Sequence, residues 1–317
     1  MRYNISIFVI LLIITLGGIF SLGCLDLGDV GIVPSDTITP STTPTMVVPK
    51  IKSFLYQLQN LDINKVHDTD FDLVIMDYSK DGSDEKRYAK EEINKLKNAP
   101  VKKIVLAYLN IGEAEDYRYY FKDEWHDNPP SFLDEENPNW PGNYRVKYWE
   151  QEWQNIIYGD SDAYLDKIID QGFDGVYLDK IDIYEDYEEE RDTARSDMIN
   201  FVIDIATYAR KKNKNFYIVP QNAEELLDDE GYRNTVSGIG VEELFYNGGK
   251  LNTESYIIHR ERYLDLIAKI KWVFVTEYVQ DEEKIKDVHE KARKKGYIPY
   301  CTVYELDQLI INPPYED

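Results

Sequence analysis

The stretch GFDGVYLDKIDIYEDYEEE, residues 172–190, decides how the chain is read. A glycine closes an amphipathic pattern. A short apolar run follows at 175–178 and stops at Asp179. That run has the length of a buried strand rather than of a helix, and its far end turns abruptly into carboxylates. Working outward, the same grammar repeats. Strand-length apolar runs occur at 54–58, 73–77, 104–109, 175–179, 216–220, 238–244, 272–278 and 298–303. Amphipathic stretches lie between most of them, at 86–97, 160–170, 196–211, 255–269 and 282–294, with Gly172 and Gly296 placed as helix stops. Strands alternating with helices imply a parallel sheet. Eight such units in one domain predict an α/β fold of the closed (β/α)8 TIM-barrel type. A doubly wound open sheet is the competing reading. It would show fewer strands and a glycine-rich turn after the first, where this chain has Leu58-Gln59-Asn60.

In such a barrel, functional groups gather at the C-terminal ends of the strands. The second run ends at Asp77 and Tyr78, and the third at Asn110, followed by Glu113. The fourth ends at Tyr177 and Asp179, the fifth at Gln221 and Asn222, and the sixth at Glu242 and Glu243. The seventh ends at Glu277 and Tyr278, and the eighth at Tyr304. One strand-ending carboxylate is ordinarily a cap or a solvated turn. Carboxylates on the second, fourth, sixth and seventh strands of one rim, with carboxamides on the third and fifth, point to chemistry. Paired carboxylates are the machinery of glycoside hydrolysis, one as acid and the other as nucleophile or base. Asp182, Glu185 and Asp186 lie farther along their loop and read as solvated charge. The long segment after the third strand, 111–159, holds Trp125, Trp140, Trp149 and Trp153. Trp125 and Trp140, beside proline and asparagine, are candidates for stacking on sugar rings. Trp149 and Trp153, one helical turn apart, are expected to pack inside.

Composition narrows the partners. The chain carries 36 Lys plus Arg against 59 Asp plus Glu, a net charge of −23. Such a surface repels phosphate backbones, so no nucleic-acid partner is expected, and it would attract a cationic polymer. His67, His126, His259 and His289 all lie away from the strand ends, which argues against a histidine zinc site, and no metal or cofactor is expected. Carboxylates alone can hold magnesium or calcium, which keeps a carboxylate-metal hydrolase open. A non-catalytic saccharide-binding barrel of the cell envelope is the other alternative.

The amino-terminal part reads separately. Residues 1–24 form a charged start, an apolar run and a Gly23-Cys24 ending, which is a signal peptide or a membrane anchor. A lipidated Cys24 and an uncleaved span fit this segment equally. Residues 25–50 form a Ser/Thr/Pro-rich tether, and 51–317 form the barrel domain. The expected location is secreted or cell-surface, held to a membrane through the N-terminus. Cys24 and Cys301 are the only cysteines, so a disulfide framework is not expected.

Five strings carry a resemblance. YLNIGEAEDYRYYF from Tyr108, NYRVKYWEQEWQNII from Asn143, GFDGVYLDKIDIYE from Gly172, PQNAEELL from Pro220 and GVEELFY from Gly240 resemble, in order, the endo-α-1,4-polygalactosaminidase family, glycoside hydrolase family 114. The resemblance implies a TIM barrel. For characterised members it implies endo-acting cleavage of galactosamine-containing α-1,4 polymers without a metal. It places the strand-four aspartate at Asp179 and the strand-six glutamate at Glu242. We read Asp179 as nucleophile or base and Glu242 as acid/base, and sequence leaves the exchange of those roles open. Glu243 stands where relatives often carry Asp and ranks second.

Overall fold

The fold is described from a computed structural model, which covers residues 48–315. The signal or anchor and nearly all of the tether lie outside the described residues.

All eight expected strands form. They are β1 (Phe54–Tyr56), β2 (Leu73–Met76), β3 (Ile104–Asn110), β4 (Gly175–Asp179), β5 (Tyr217–Pro220), β6 (Gly238–Glu242), β7 (Trp272–Glu277) and β8 (Ile298–Cys301). Seven crossover helices link them. These are α1 (Ile63–His67), α2 (Lys90–Lys97), α3 (Tyr164–Gln171), α4 (Ala194–Lys212), α5 (Glu230–Thr235), α6 (Glu254–Leu264) and α7 (Glu282–Lys295). The local chemistry explains the boundaries. Asp281 accepts a hydrogen bond from Lys284 N at the start of α7, and the expected stops Gly172 and Gly296 end α3 and α7 in the left-handed conformation, φ 88° and 79°.

Every ladder among these eight strands is parallel. One sheet runs in the order β1-β2-β3-β4-β5 and a second in the order β8-β7-β6. A single parallel bridge, Gln221 to Gly240, joins the end of β5 to β6. Between β8 and β1 no ladder forms among the described residues, so the expected hydrogen-bonded closure of the barrel is missing at this seam. Just past the two strands, the Leu58 and Gln59 amides both donate to Leu306 O, at 2.8 and 3.2 Å, so among the described residues the backbone meets across the seam only above the strands. At the level of the strands, side chains fill the seam. The Phe54 ring lies 4.7 Å from that of Phe274 and 5.5 Å from that of Tyr300.

Strand side chains alternate, so inward positions recur every second residue. Phe54 is followed inward by Tyr56, Tyr177 by Asp179, and Gly240 by Glu242. The lower positions are a packed aromatic interior, with Tyr56 and Tyr177 rings 5.2 Å apart. Gly240 is required there. A Cβ at that position would stand 1.8 Å from the Tyr177 hydroxyl, closer than any real contact. The upper positions carry the polar groups.

The segment after β3 is more ordered than a loop. Glu113–Glu115, Leu133–Glu136 and Asn143–Val146 form a three-stranded antiparallel sheet with the last in the centre, and Gln151–Ile157 is helical. These strands are too short and too polar to announce themselves by alternation.

Candidate active site

Two carboxyl groups, one ending a strand of each parallel sheet, face one cavity of about 690 Å³. Asp179 is the last residue of β4, in register with Asn110 of β3. Its Oδ2 accepts the Tyr108 hydroxyl at 2.6 Å and its Oδ1 accepts the Lys180 amide at 2.7 Å. Glu242 is the last residue of β6, in register with Thr276 of β7. Its Oε2 accepts Gln221 Nε2 at 2.5 Å and Asn222 Nδ2 at 3.2 Å, and its Oε1 accepts the Tyr278 hydroxyl. Gln221 is held in turn by Tyr56, whose hydroxyl donates to its Oε1 at 3.1 Å.

Burial dominates the electrostatics. It pushes the Asp179 carboxyl up to about 7, and the nearby charge of Glu242 adds to the rise, against the hydrogen bond from Tyr108. Burial also raises Glu242, while its bonds from Tyr278 and Asn222 pull the other way. Burial thus favours the protonated form of both acids, and the charge of Glu242 opposes ionisation of Asp179. One member can then give a proton while the other stays ionised, which is the requirement for cleaving a glycosidic bond.

The model of glycoside-hydrolase family GH114 matches residues 35–315. The chain belongs to glycoside-hydrolase family GH114. An uncharacterized protein of Methanocaldococcus jannaschii is 46% identical over 271 residues, covering 80% of this chain and 77% of the relative. An uncharacterized protein of Thermotoga maritima is 44% identical over 273 residues, covering 81% and 83%. Among solved structures, the glycoside hydrolase domain of PelA from Pseudomonas aeruginosa superposes with a TM-score of 0.63 at 16% identity. That match covers 84% of this chain and 99% of the other, and it shows a shared fold. This GH114 chain is therefore a glycoside hydrolase.

Of the residues singled out in the sequence, ten line the GH114 cavity: Asp77, Glu113, Trp140, Asp179, Gln221, Asn222, Glu242, Glu243, Tyr278 and Tyr304. The other five do not, and each is a correction. Tyr78 is buried and donates to Gly82 O. Asn110 uses its Oδ1 to accept the amides of Gly112 and Glu113, shaping the turn after β3. Tyr177 is packed below the cavity. Glu277 points outward from β7 and accepts the amides of Phe245 and Tyr246. Trp125 packs against Phe121 and Phe132 at ring distances of 5.0 and 5.4 Å, only 8% exposed. Trp153 packs inside, as expected, donating to Ile111 O, while Trp149 is half-buried, with Tyr187 edge-on at 4.9 Å and Arg191 over its ring.

The rim also carries cations. Arg118, fully buried, pairs with Asp77 at 2.8 Å and Glu115 at 2.6 Å. Lys180 lies 3.4 Å from Glu113, which Asn137 and Asn143 also hold. Asp77 and Glu113 are thus structural carboxylates of the cavity wall. Asp182, read from sequence as solvated, lines the cavity instead, and burial raises its carboxyl. Sequence reasoning missed Tyr108, Tyr56, Arg118 and Lys180. For Tyr108 a signal existed, since it stands two residues before Asn110 on the inward phase of β3. For Arg118 none did. Among the described residues, no group of three or more His, Cys, Asp or Glu is arranged to hold a metal ion.

Proposed function

We propose that this glycoside hydrolase is an endo-acting enzyme that cleaves a galactosamine-containing polysaccharide outside the cytoplasm, tethered by its N-terminal segment. The observation that carries the reading is the buried pair Asp179 and Glu242, each oriented by its own hydrogen-bond donors and both facing one cavity. In this reading the strands form a (β/α)8 barrel closed by side-chain packing at the β8–β1 seam. Asp179 serves as nucleophile or base and Glu242 as acid/base. Burial raises both carboxyls, so the two roles are told apart by experiment. An aryl glycoside with a good leaving group separates the two, because it restores turnover to the variant lacking the acid and not to the one lacking the nucleophile.

Charge and shape support the substrate class. Nine carboxyl groups line the cavity against three cations, Lys80, Arg118 and Lys180. At the mouth, Trp140 and Tyr304 lie parallel, with ring centroids 5.5 Å apart and about half of each residue exposed. Tyr304 in turn meets Tyr278 edge-on at 5.0 Å. An aromatic path therefore leads from solvent to Glu242, suited to the apolar faces of sugar rings. The test is hydrolysis of partly deacetylated galactosaminan against its fully acetylated form, with polygalacturonate as the anionic control. The expected result is faster cleavage of the cationic polymer, with an advantage that shrinks as salt screens charge over about 10 Å at 0.1 M. Equal rates at low salt would overturn the amino-sugar preference. Cleavage of none of the three by the folded protein would favour a saccharide-binding role.

A further inference from the structure

Glu242 sits between two backbone segments that non-glycine residues rarely adopt. Asn222 and Ala223, after β5, have φ of 58° and 51°, and Glu243, after β6, has φ of 50°. Left-handed backbone at such residues costs on the order of 1 kcal/mol or more each, so something must hold these turns. The holding group comes from the outer helix layer. Arg260 of α6 is 8% exposed and reaches inward beneath both turns. Its Nη2 donates to Glu224 Oε2 at 3.0 Å, and its Nε donates to Glu224 Oε1, completing a fork-on-fork pair with a residue of the β5 turn. Its Nη1 donates to the Glu242 backbone carbonyl at 2.8 Å. Its Nη2 also approaches Asn222 Oδ1 at 3.4 Å.

Asn222 links this cation to the catalytic pair. Its Oδ1 accepts the Glu242 amide at 3.1 Å and faces Arg260, which leaves its Nδ2 directed at Glu242 Oε2. The Glu242 amide sets which end of the carboxamide meets the carboxylate, and the guanidinium adds a second, longer contact to the same oxygen. It grips the main chain of Glu242 at the same time.

We infer that Arg260 is a positioning residue for Glu242, setting its orientation and its donor set from outside the cavity. The inference rests on the reading of Glu242 as one of the catalytic carboxyls. Arg260 does not line the cavity and has no contact with substrate to lose. Its removal should lower kcat and leave KM nearly unchanged. The sign of the pH effect is fixed. Loss of a donor aligned on the ionised form, and loss of a nearby positive charge, both raise the Glu242 pKa. The limb of the pH–rate profile that belongs to Glu242 therefore moves to higher pH.

The experiment uses Arg260→Lys, Arg260→Met and the double variant Arg260→Met/Glu224→Gln, with partly deacetylated galactosaminan as the probe. The double variant removes both partners of the ion pair, so no unpaired charge stays buried and the fold is retained even where Arg260→Met alone unfolds. Expected for both methionine variants are a fall in kcat of about tenfold to a hundredfold and a KM within about twofold, with an alkaline shift of one limb that is larger in Arg260→Met than in the double variant, where deletion of the Glu224 charge offsets that of Arg260. Arg260→Lys, which keeps the charge but not the fork, should recover part of the loss. A folded double variant with unchanged kcat and pH profile overturns the inference, as does a kcat loss with no pH shift. Glu242→Gln run beside it separates the two levels. Full activity there overturns the role of Glu242 and with it that of Arg260. An inert Glu242→Gln beside an unshifted Arg260 variant overturns the positioning role alone.

Discussion

Glu242 and Glu277 end adjacent parallel strands, β6 and β7, yet they do opposite work. Glu242 lies in register with Thr276, one residue before Glu277. That single step puts the two side chains on opposite faces of the sheet. Glu242 faces the cavity and meets three side-chain donors. Glu277 faces the helix layer, fully buried, and ties down the chain after β6 through the amides of Phe245 at 2.6 Å and Tyr246 at 3.1 Å. Burial raises both carboxyls, Glu277 to about 8. A raised carboxyl at a strand end is therefore no mark of catalysis by itself. The face it occupies decides.

Substitution should separate the two regions most sharply. Asp179→Asn and Glu242→Gln each remove a titrating oxygen from the cavity, and each should cut the rate of polymer hydrolysis on the order of 10²–10⁴-fold with the fold intact. Glu277→Gln should keep its turnover within a few-fold. It should instead lose about 1–3 kcal/mol of stability in denaturant unfolding, because the new NH2 group opposes one of the two amides. An inactive but fully stable Glu277→Gln would break the comparison.

The tryptophans of the segment after β3 divide in the same way. Trp125→Ala empties a packed site and should cost about 3–5 kcal/mol in unfolding free energy. Trp140→Ala should leave stability nearly unchanged and raise KM for the polymer by roughly tenfold, the loss of a single aromatic contact. A stable Trp125→Ala with raised KM would return Trp125 to the substrate path.

The smallest effect is a change in titration. The Asp179 carboxyl is raised first by burial and then by the charge of Glu242. Glu242→Gln deletes that charge and leaves the burial, so the Asp179 pKa should fall from about 7 while staying above its ordinary value. Carboxyl-region infrared or carbon NMR titration of the variant measures this directly. An unmoved or rising value would mean that the two carboxyls do not share a cavity in solution.

The legible part of the molecule was periodic. β4 and β6 were visible because their apolar runs end in residues that cannot enter a core, and Asp179 and Glu242 marked those ends. The glycines after α3 and α7 were visible because few other residues end a helix in that conformation. Tyr78, Asn110 and Glu277 were placed at the correct level of the barrel but assigned to the cavity on position alone, and Tyr177 faces inward one layer too low. Proximity to a strand end does not say which face a side chain takes once the strand twists into a loop.

Sequence by itself determined the alternation of strands and helices, the level at which polar groups appear, and the family. These follow from local rules: hydrophobic period, caps and the order of motifs along the chain. The tertiary structure alone decided which carboxylates are free and which are paired. Arg118 lies 41 residues from Asp77 and neutralises it. Arg260 lies 18 residues from Glu242 and braces its main chain from another layer. Asp182, three residues past the end of β4, turns back into the cavity. Charge pairing in a buried site depends on distances of a few ångströms between segments far apart in the chain, and no spacing along the sequence encodes those distances.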